Sequence, residues 1–103
     1  ASNHKIIHVI DYLNAHLTDD ITIDFLAEHF YLSRYHLMHA FKEETGYTIG
    51  NYLTTKRLLL ARDQIAQGES ITTACYTCGF HNYSTFSRAY RKHFGCSPRE
   101  QRN

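Results

Sequence analysis

Apolar residues return at helical spacing from the beginning of the chain. Ile6, Ile10, Leu13 and Leu17 mark residues 4–17 as an amphipathic helix. Thr18-Asp19-Asp20 interrupts it. Thr22 then offers an N-cap for a short helix that turns Ile23, Leu26, Ala27 and Phe30 inward. Ser33 caps a third helix with Leu37, Ala40 and Phe41 inside, and Gly46 stops it. Thr48 opens a longer helix running from Ile49 to about Gln67 and ending at Gly68. Ser70 opens a fifth helix that Gly79 closes. Asn82 opens a sixth with Phe86, Ala89, Tyr90 and Phe94 inside, stopped by Gly95. Ser97-Pro98-Arg99-Glu100 has the form of a helix start: a serine cap, proline in the first turn and glutamate three residues after the cap. No period-two alternation competes, so the predicted fold class is all-α with about seven helices.

The pattern repeats internally. Ile23, Ala27, Leu32, Leu37, Phe41 and Gly46 are spaced 4, 5, 5, 4 and 5 residues apart. Ile71, Cys75, Phe80, Phe86, Tyr90 and Gly95 are spaced 4, 5, 6, 4 and 5. One inserted residue accounts for the difference. Each repeat predicts a short helix, a tight turn and a longer helix, with Ala27 or Cys75 small enough for two helices to cross closely. The organisation expected is a helix-turn-helix subdomain over 1–47, a linker helix over 48–68 and a second helix-turn-helix subdomain over 69–103.

Such a unit presents its second helix to the major groove of B-DNA, with base contacts near that helix's N-terminus. The inward positions Leu37/Phe41 and Phe86/Tyr90 leave matching outward faces. Base-contact candidates are Tyr35, Met38 and His39 on the first recognition helix, and Ser84, Ser87 and Arg88 on the second. Arg88 suits guanine O6/N7, His39 a base edge, and Tyr35 and Met38 a thymine methyl. Met38 packing on a neighbouring helix is the alternative for that side chain. Phosphate-contact candidates are Arg34, Lys42, Arg57, Tyr83, Thr85, Arg91 and Lys92. For Arg57 and Arg62 an intramolecular ion pair is an equal alternative. The linker, about 20 residues at 1.5 Å rise, spans roughly 30 Å. Successive major-groove faces lie about 34 Å apart. Two adjacent groove segments of one site are therefore within reach of one chain.

Charge at first points elsewhere, because the net formal value is only +1 over 103 residues. Its placement changes the picture. Residues 1–30 set Lys5 against Asp11, Asp19, Asp20, Asp24 and Glu28, a net −4. Residues 31–62 carry +3, residues 63–83 carry −2, and residues 84–103 carry +4, with Arg88, Arg91 and Lys92 in the last block. Near-neutrality hides two basic segments. The acidic opening supports a second reading, a protein-interaction module in which one unit binds polymerase or a sensor domain.

Other chemistry finds little support. Cys75-Tyr76-Thr77-Cys78 is a C-x-x-C, but no second ligand pair completes a zinc site and no βαβ pattern supports a redox motif. Two buried small residues in a short helix are expected there. The eight histidines are scattered over several helices. There is no phosphate-cradling glycine loop and no nucleophile–base signature, so no enzyme activity and no cofactor are expected. No window approaches a membrane span, and a cytoplasmic, nucleoid-associated location is expected.

The stretch from Ser70 to Arg102 resembles the signature of AraC-family transcription regulators. It includes Cys78-Gly79-Phe80, Phe86-Ser87-Arg88-Ala89-Tyr90-Arg91-Lys92 and Gly95-Cys96-Ser97-Pro98. Upstream, Leu26-Ala27, Ser33, Leu37, Phe41-Lys42, Thr45-Gly46, Arg57 and Ala61 resemble the family's first unit and linker. The resemblance covers about residues 5–102. It implies a bacterial domain that binds double-stranded promoter DNA and contacts RNA polymerase. It also implies an N-terminal effector-binding or dimerisation domain outside this chain. Recognition positions fall on Arg34, Tyr35, Met38 and His39, and on Tyr83, Ser84, Ser87 and Arg88. Cys75 stands where alanine is usual, Gln101-Arg102 where an aromatic–Arg pair is common, and Met38/His39 is not the commonest readout pair.

Overall fold

The computed structural model describes residues 4–102; the outer edges of the two predicted subdomains, residues 1–3 and 103, lie outside them. Seven α-helices and no strand occur among the described residues. They are α1 (His4–Ala15), α2 (Ile23–His29), α3 (Arg34–Thr45), α4 (Ile49–Ala66), α5 (Ile71–Thr77), α6 (Tyr83–Phe94) and α7 (Pro98–Arg102). Side chains at the starts decide where most of them begin. The hydroxyls of Thr22, Ser33, Thr48 and Ser70 each accept the backbone N–H three residues on at 3.0 Å, and Asn82 does the same at 2.9 Å. Each such cap stabilises its helix by about 1 kcal/mol. Ser97 and Glu100 close a reciprocal box: Ser97 N–H donates to Glu100 Oε1 at 2.8 Å, and Glu100 N–H donates to Ser97 Oγ at 3.1 Å.

The chain forms two compact units, one ending at Leu53 and one beginning at Thr54. In the first, Ile6, Val9, Leu13, Leu26, Ala27, Leu37, Phe41, Ile49 and Leu53 make the core. In the second, Leu58, Ala61, Ile65, Ala74, Cys75, Cys78, Phe80, Phe86 and Tyr90 make it. Helix α4 thus lends its first turns to one core and its later turns to the other. Ala27 and Cys75, the small residues of the two short helices, are both buried in the cores of their units. The C-x-x-C is two free, buried thiols, both raised in pKa by burial and so held in the unreactive protonated form.

The repeat extends to the backbone of the turn. In the first unit, Leu32 N–H reaches back to Ala27 O at 2.9 Å and Tyr31 N–H to Glu28 O at 3.3 Å. In the second, Phe80 N–H reaches Cys75 O and Gly79 N–H reaches Tyr76 O, both at 3.2 Å. These are paired Schellman closures, which require a left-handed residue just past the helix. Gly79 fills that position at φ 101° without strain. Tyr31 fills it at φ 57°, the one non-glycine residue with positive φ among the described residues. A side chain there costs about 1–2 kcal/mol.

Candidate nucleic-acid interface

Helices α3 and α6 are both 12 residues long, both begin at an N-cap side chain, and both end at a left-handed glycine, Gly46 or Gly95. Burial of Leu37 and Phe41 fixes which face of α3 points away from the first core. Phe86 and Tyr90 fix it for α6. Counting from the caps, Tyr35, Met38 and His39 occupy the same places on α3 as Ser84, Ser87 and Arg88 on α6. All are exposed except Ser87, which is half-buried. Met38 is about half exposed, at 49%.

The exposed chemistry of the two faces differs. On α3, the Tyr35 and His39 rings lie 4.3 Å apart at 38°, so one turn of helix holds them as a joint aromatic surface. Met38, His39 and Lys42 border a groove of about 540 Å³, which Ile23, Glu43, Thr48, Ile49 and Gly50 complete. On α6, Ser84 and Arg88 give a hydroxyl and a guanidinium.

Among the phosphate candidates, Lys42, Thr85 and Lys92 are exposed. Arg34 is exposed too, but its Nη1 lies 3.2 Å from Asp24 Oδ1 on α2. Arg91 is likewise joined to Glu100 of α7 at 3.0 Å. Both pairs are solvent-facing and therefore weak. The Tyr83 ring is half-buried, packing against the second core with its centroid 6.1 Å from Phe86. Arg57 is half-buried on α4. Arg62, weighed above as a phosphate or ion-pair residue, has its guanidinium 4.5 Å from the Phe94 ring centroid, a cation–π contact.

Asp24 and Glu100 were not anticipated as partners. Glu100 left a signal, because the Ser97-x-x-Glu100 box fixes its carboxylate at the start of α7. Hydrogen bonds from the Ser97 N–H and hydroxyl, with Arg91 beside it, hold that carboxyl below the usual carboxylate range. Asp24 left none, since it meets Arg34 only through the crossing of α2 and α3. Among the described residues, no group of three or more His, Cys, Asp or Glu side chains is arranged to hold a metal ion. No helix there is long and apolar enough to cross a membrane.

Known proteins share this arrangement. A family model described as a helix-turn-helix domain matches residues 26–103. The HTH-type transcriptional activator RhaS of Escherichia coli O139:H28 is 37% identical over 95 residues, 91% of this chain and 34% of the RhaS sequence. The chain thus spans about a third of the length of the curated relatives it matches. An AraC-type transcriptional regulator from Chromobacterium violaceum is 31% identical and superposes with a TM-score of 0.85 over 98% of this chain and 91% of its own. The DNA-binding domain of the global transcription factor AdpA, solved with a target DNA, is 25% identical with a TM-score of 0.88 over 95% of this chain and 89% of its own. By the family-model match and these relatives, the chain belongs to the AraC-type helix-turn-helix family of transcription-regulator DNA-binding domains.

Proposed function

We propose that the chain is the sequence-specific, bipartite DNA-binding part of a bacterial transcription regulator. Helices α3 and α6 each enter a major-groove segment of one promoter, and the length of α4 favours adjacent segments. Base contacts come from Tyr35, Met38, His39, Ser84, Ser87 and Arg88. Phosphate contacts come from Arg34, Lys42, Arg57, Tyr83, Thr85, Arg91 and Lys92. RNA polymerase and an N-terminal effector-binding or dimerisation domain are the protein partners. The observation behind this reading is the place-by-place equivalence of the exposed faces of α3 and α6 in two units with the same caps and the same turn hydrogen bonds. The solved AdpA complex supports it through a related fold.

The test is fluorescence anisotropy on a duplex selected by this chain from a random library. His39→Ala and Arg88→Ala should each cost about 1–3 kcal/mol and relax specificity at a few bases. Lys92→Ala should weaken all sequences alike. Log affinity should fall with log salt by about 0.9 per phosphate neutralised. Equal, sequence-blind losses from all three variants would sink the base-readout assignment.

One observation favours the protein-interaction reading for part of the first unit. Besides Tyr35 and Met38, that unit exposes Ile7, Phe25, Tyr31 and Tyr47, while among the described residues the second unit exposes one large apolar side chain, Tyr76. A duplex bound as tightly after its α3 segment is scrambled would support that assignment over groove contact by α3.

A further inference from the structure

The two recognition faces are built for different base chemistry. At three matched places α3 carries Tyr35, Met38 and His39, whereas α6 carries Ser84, Ser87 and Arg88. Tyr35 is 72% exposed and Met38 49%, unusually open for side chains that gain from burial. The Tyr35 ring lies against that of His39, tilted at 38° with centroids 4.3 Å apart, so the two present adjoining aromatic surface. Beside Met38, the groove continues over Ile23 and Ile49, so apolar surface extends beyond the methionine itself. The one guanidinium on α3, that of Arg34, is turned to Asp24. The readout face of α3 therefore lacks the forked donor that fits guanine O6 and N7, while α6 has one in Arg88. In the major groove the thymine C5-methyl is the apolar feature a protein can meet.

We infer that the first unit reads thymine methyl groups through Met38 and the Tyr35–His39 plate, while the second unit reads guanine through Arg88. This division rests on the DNA-binding reading of both helices. The binding site then has two unlike halves, a thymine-rich segment under α3 and a guanine-containing segment under α6. Met38 and Tyr35 set specificity by apolar contact, and Arg88 sets it by paired hydrogen bonds.

The test changes the DNA rather than the fold. A duplex selected by this chain from a random 30-base-pair library is resynthesised with deoxyuridine for thymine, one half at a time, which removes only the methyl groups. Separate duplexes carry 7-deazaguanine, which removes the N7 acceptor. In one half, deoxyuridine should weaken binding about three- to fivefold per contacted methyl. Met38→Ala should bind the thymine and deoxyuridine versions of that half more nearly alike. In the other half, 7-deazaguanine should weaken binding, and Arg88→Ala should remove that sensitivity. Indifference to deoxyuridine in both halves overturns the inference. So does a deoxyuridine penalty that survives in full in the Tyr35→Ala, Met38→Ala double variant, or a deoxyuridine and a 7-deazaguanine penalty confined to the same half. Failure to enrich any duplex overturns the DNA-binding reading itself, a different result from tight binding that ignores the methyl groups.

Discussion

The two units solve one backbone problem with different side chains. Both need a left-handed residue between the short and long helices, since the paired closures onto Ala27 and Glu28, or Cys75 and Tyr76, can form only there. The second unit uses Gly79. The first uses Tyr31, which is 88% exposed and so gains almost nothing from burial to offset its strain. The interiors differ in a similar way. Phe41 and Tyr90 hold equivalent buried places, yet only Tyr90 carries a hydroxyl, and it donates to Gln101 of α7. Phe41 meets the edge of Tyr52 instead, with ring centroids 5.5 Å apart. A repeat of hydrogen bonds and buried positions therefore survives wide variation in residue type, because it asks for volume, a cap and one left-handed φ. The outward faces carry no such constraint, and there the units diverge most.

The strongest challenge to that equivalence is to empty both cores at the shared place. Phe41→Ala and Tyr90→Ala should each cost about 3–5 kcal/mol, read from urea unfolding. A loss below 1 kcal/mol for either would show that the two positions are not structural counterparts.

A smaller and more pointed comparison exchanges the turn residues. Gly79 is buried, so Gly79→Tyr should destabilise by more than the about 1–2 kcal/mol of left-handed strain alone, because the ring must also find room in a packed site. Tyr31→Gly relieves the same strain against about 0.5–1 kcal/mol of added chain entropy. It should therefore stabilise by about 0.5 kcal/mol. Opposite signs in a thermal melt sharpen the comparison; losses from both changes would mean that the Tyr31 side chain supports the fold.

The smallest expected difference concerns acid. The box that opens α7 holds Glu100, whereas the matching place after Thr48 holds Asn51, which does not titrate. The Glu100 carboxyl is held below its ordinary value, so the unfolded chain takes up that proton more readily than the folded one. Its contribution is complete above the ordinary carboxylate range and is lost as pH falls through the lowered folded value. Glu100→Gln should flatten part of the acid limb of stability against pH, while Asn51→Asp should add a new acid-sensitive component. An unchanged acid limb in Glu100→Gln would remove the box as a source of pH dependence.

Much of this was legible from local chemistry. Thr22, Ser33, Ser70 and Asn82 announce helix starts because their side chains satisfy N–H groups within three residues, and Gly46 and Gly95 announce stops for an equally local reason. The all-α fold, the repeated unit and the outward trio on each long helix follow from periodicity alone. Periodicity is less decisive about depth. It pointed to Ile10 in α1, yet Val9 is the fully buried neighbour and Ile10 only packs against the core. Adjacent positions on a helix lie only 100° apart, so the packing partners choose between them.

What the sequence determined by itself was therefore everything fixed by neighbours along the chain: helices, caps, stops, the doubled motif and the candidate groove-facing residues. Tertiary structure decided the rest. It drew Arg34 to Asp24 and Arg91 to Glu100, laid Arg62 on Phe94, placed Tyr31 in the left-handed region and opened the groove beside Met38. The ion pairs and the cation–π contact depend on which helix crosses which, and at what angle. The spacing of residues along one helix does not contain that information.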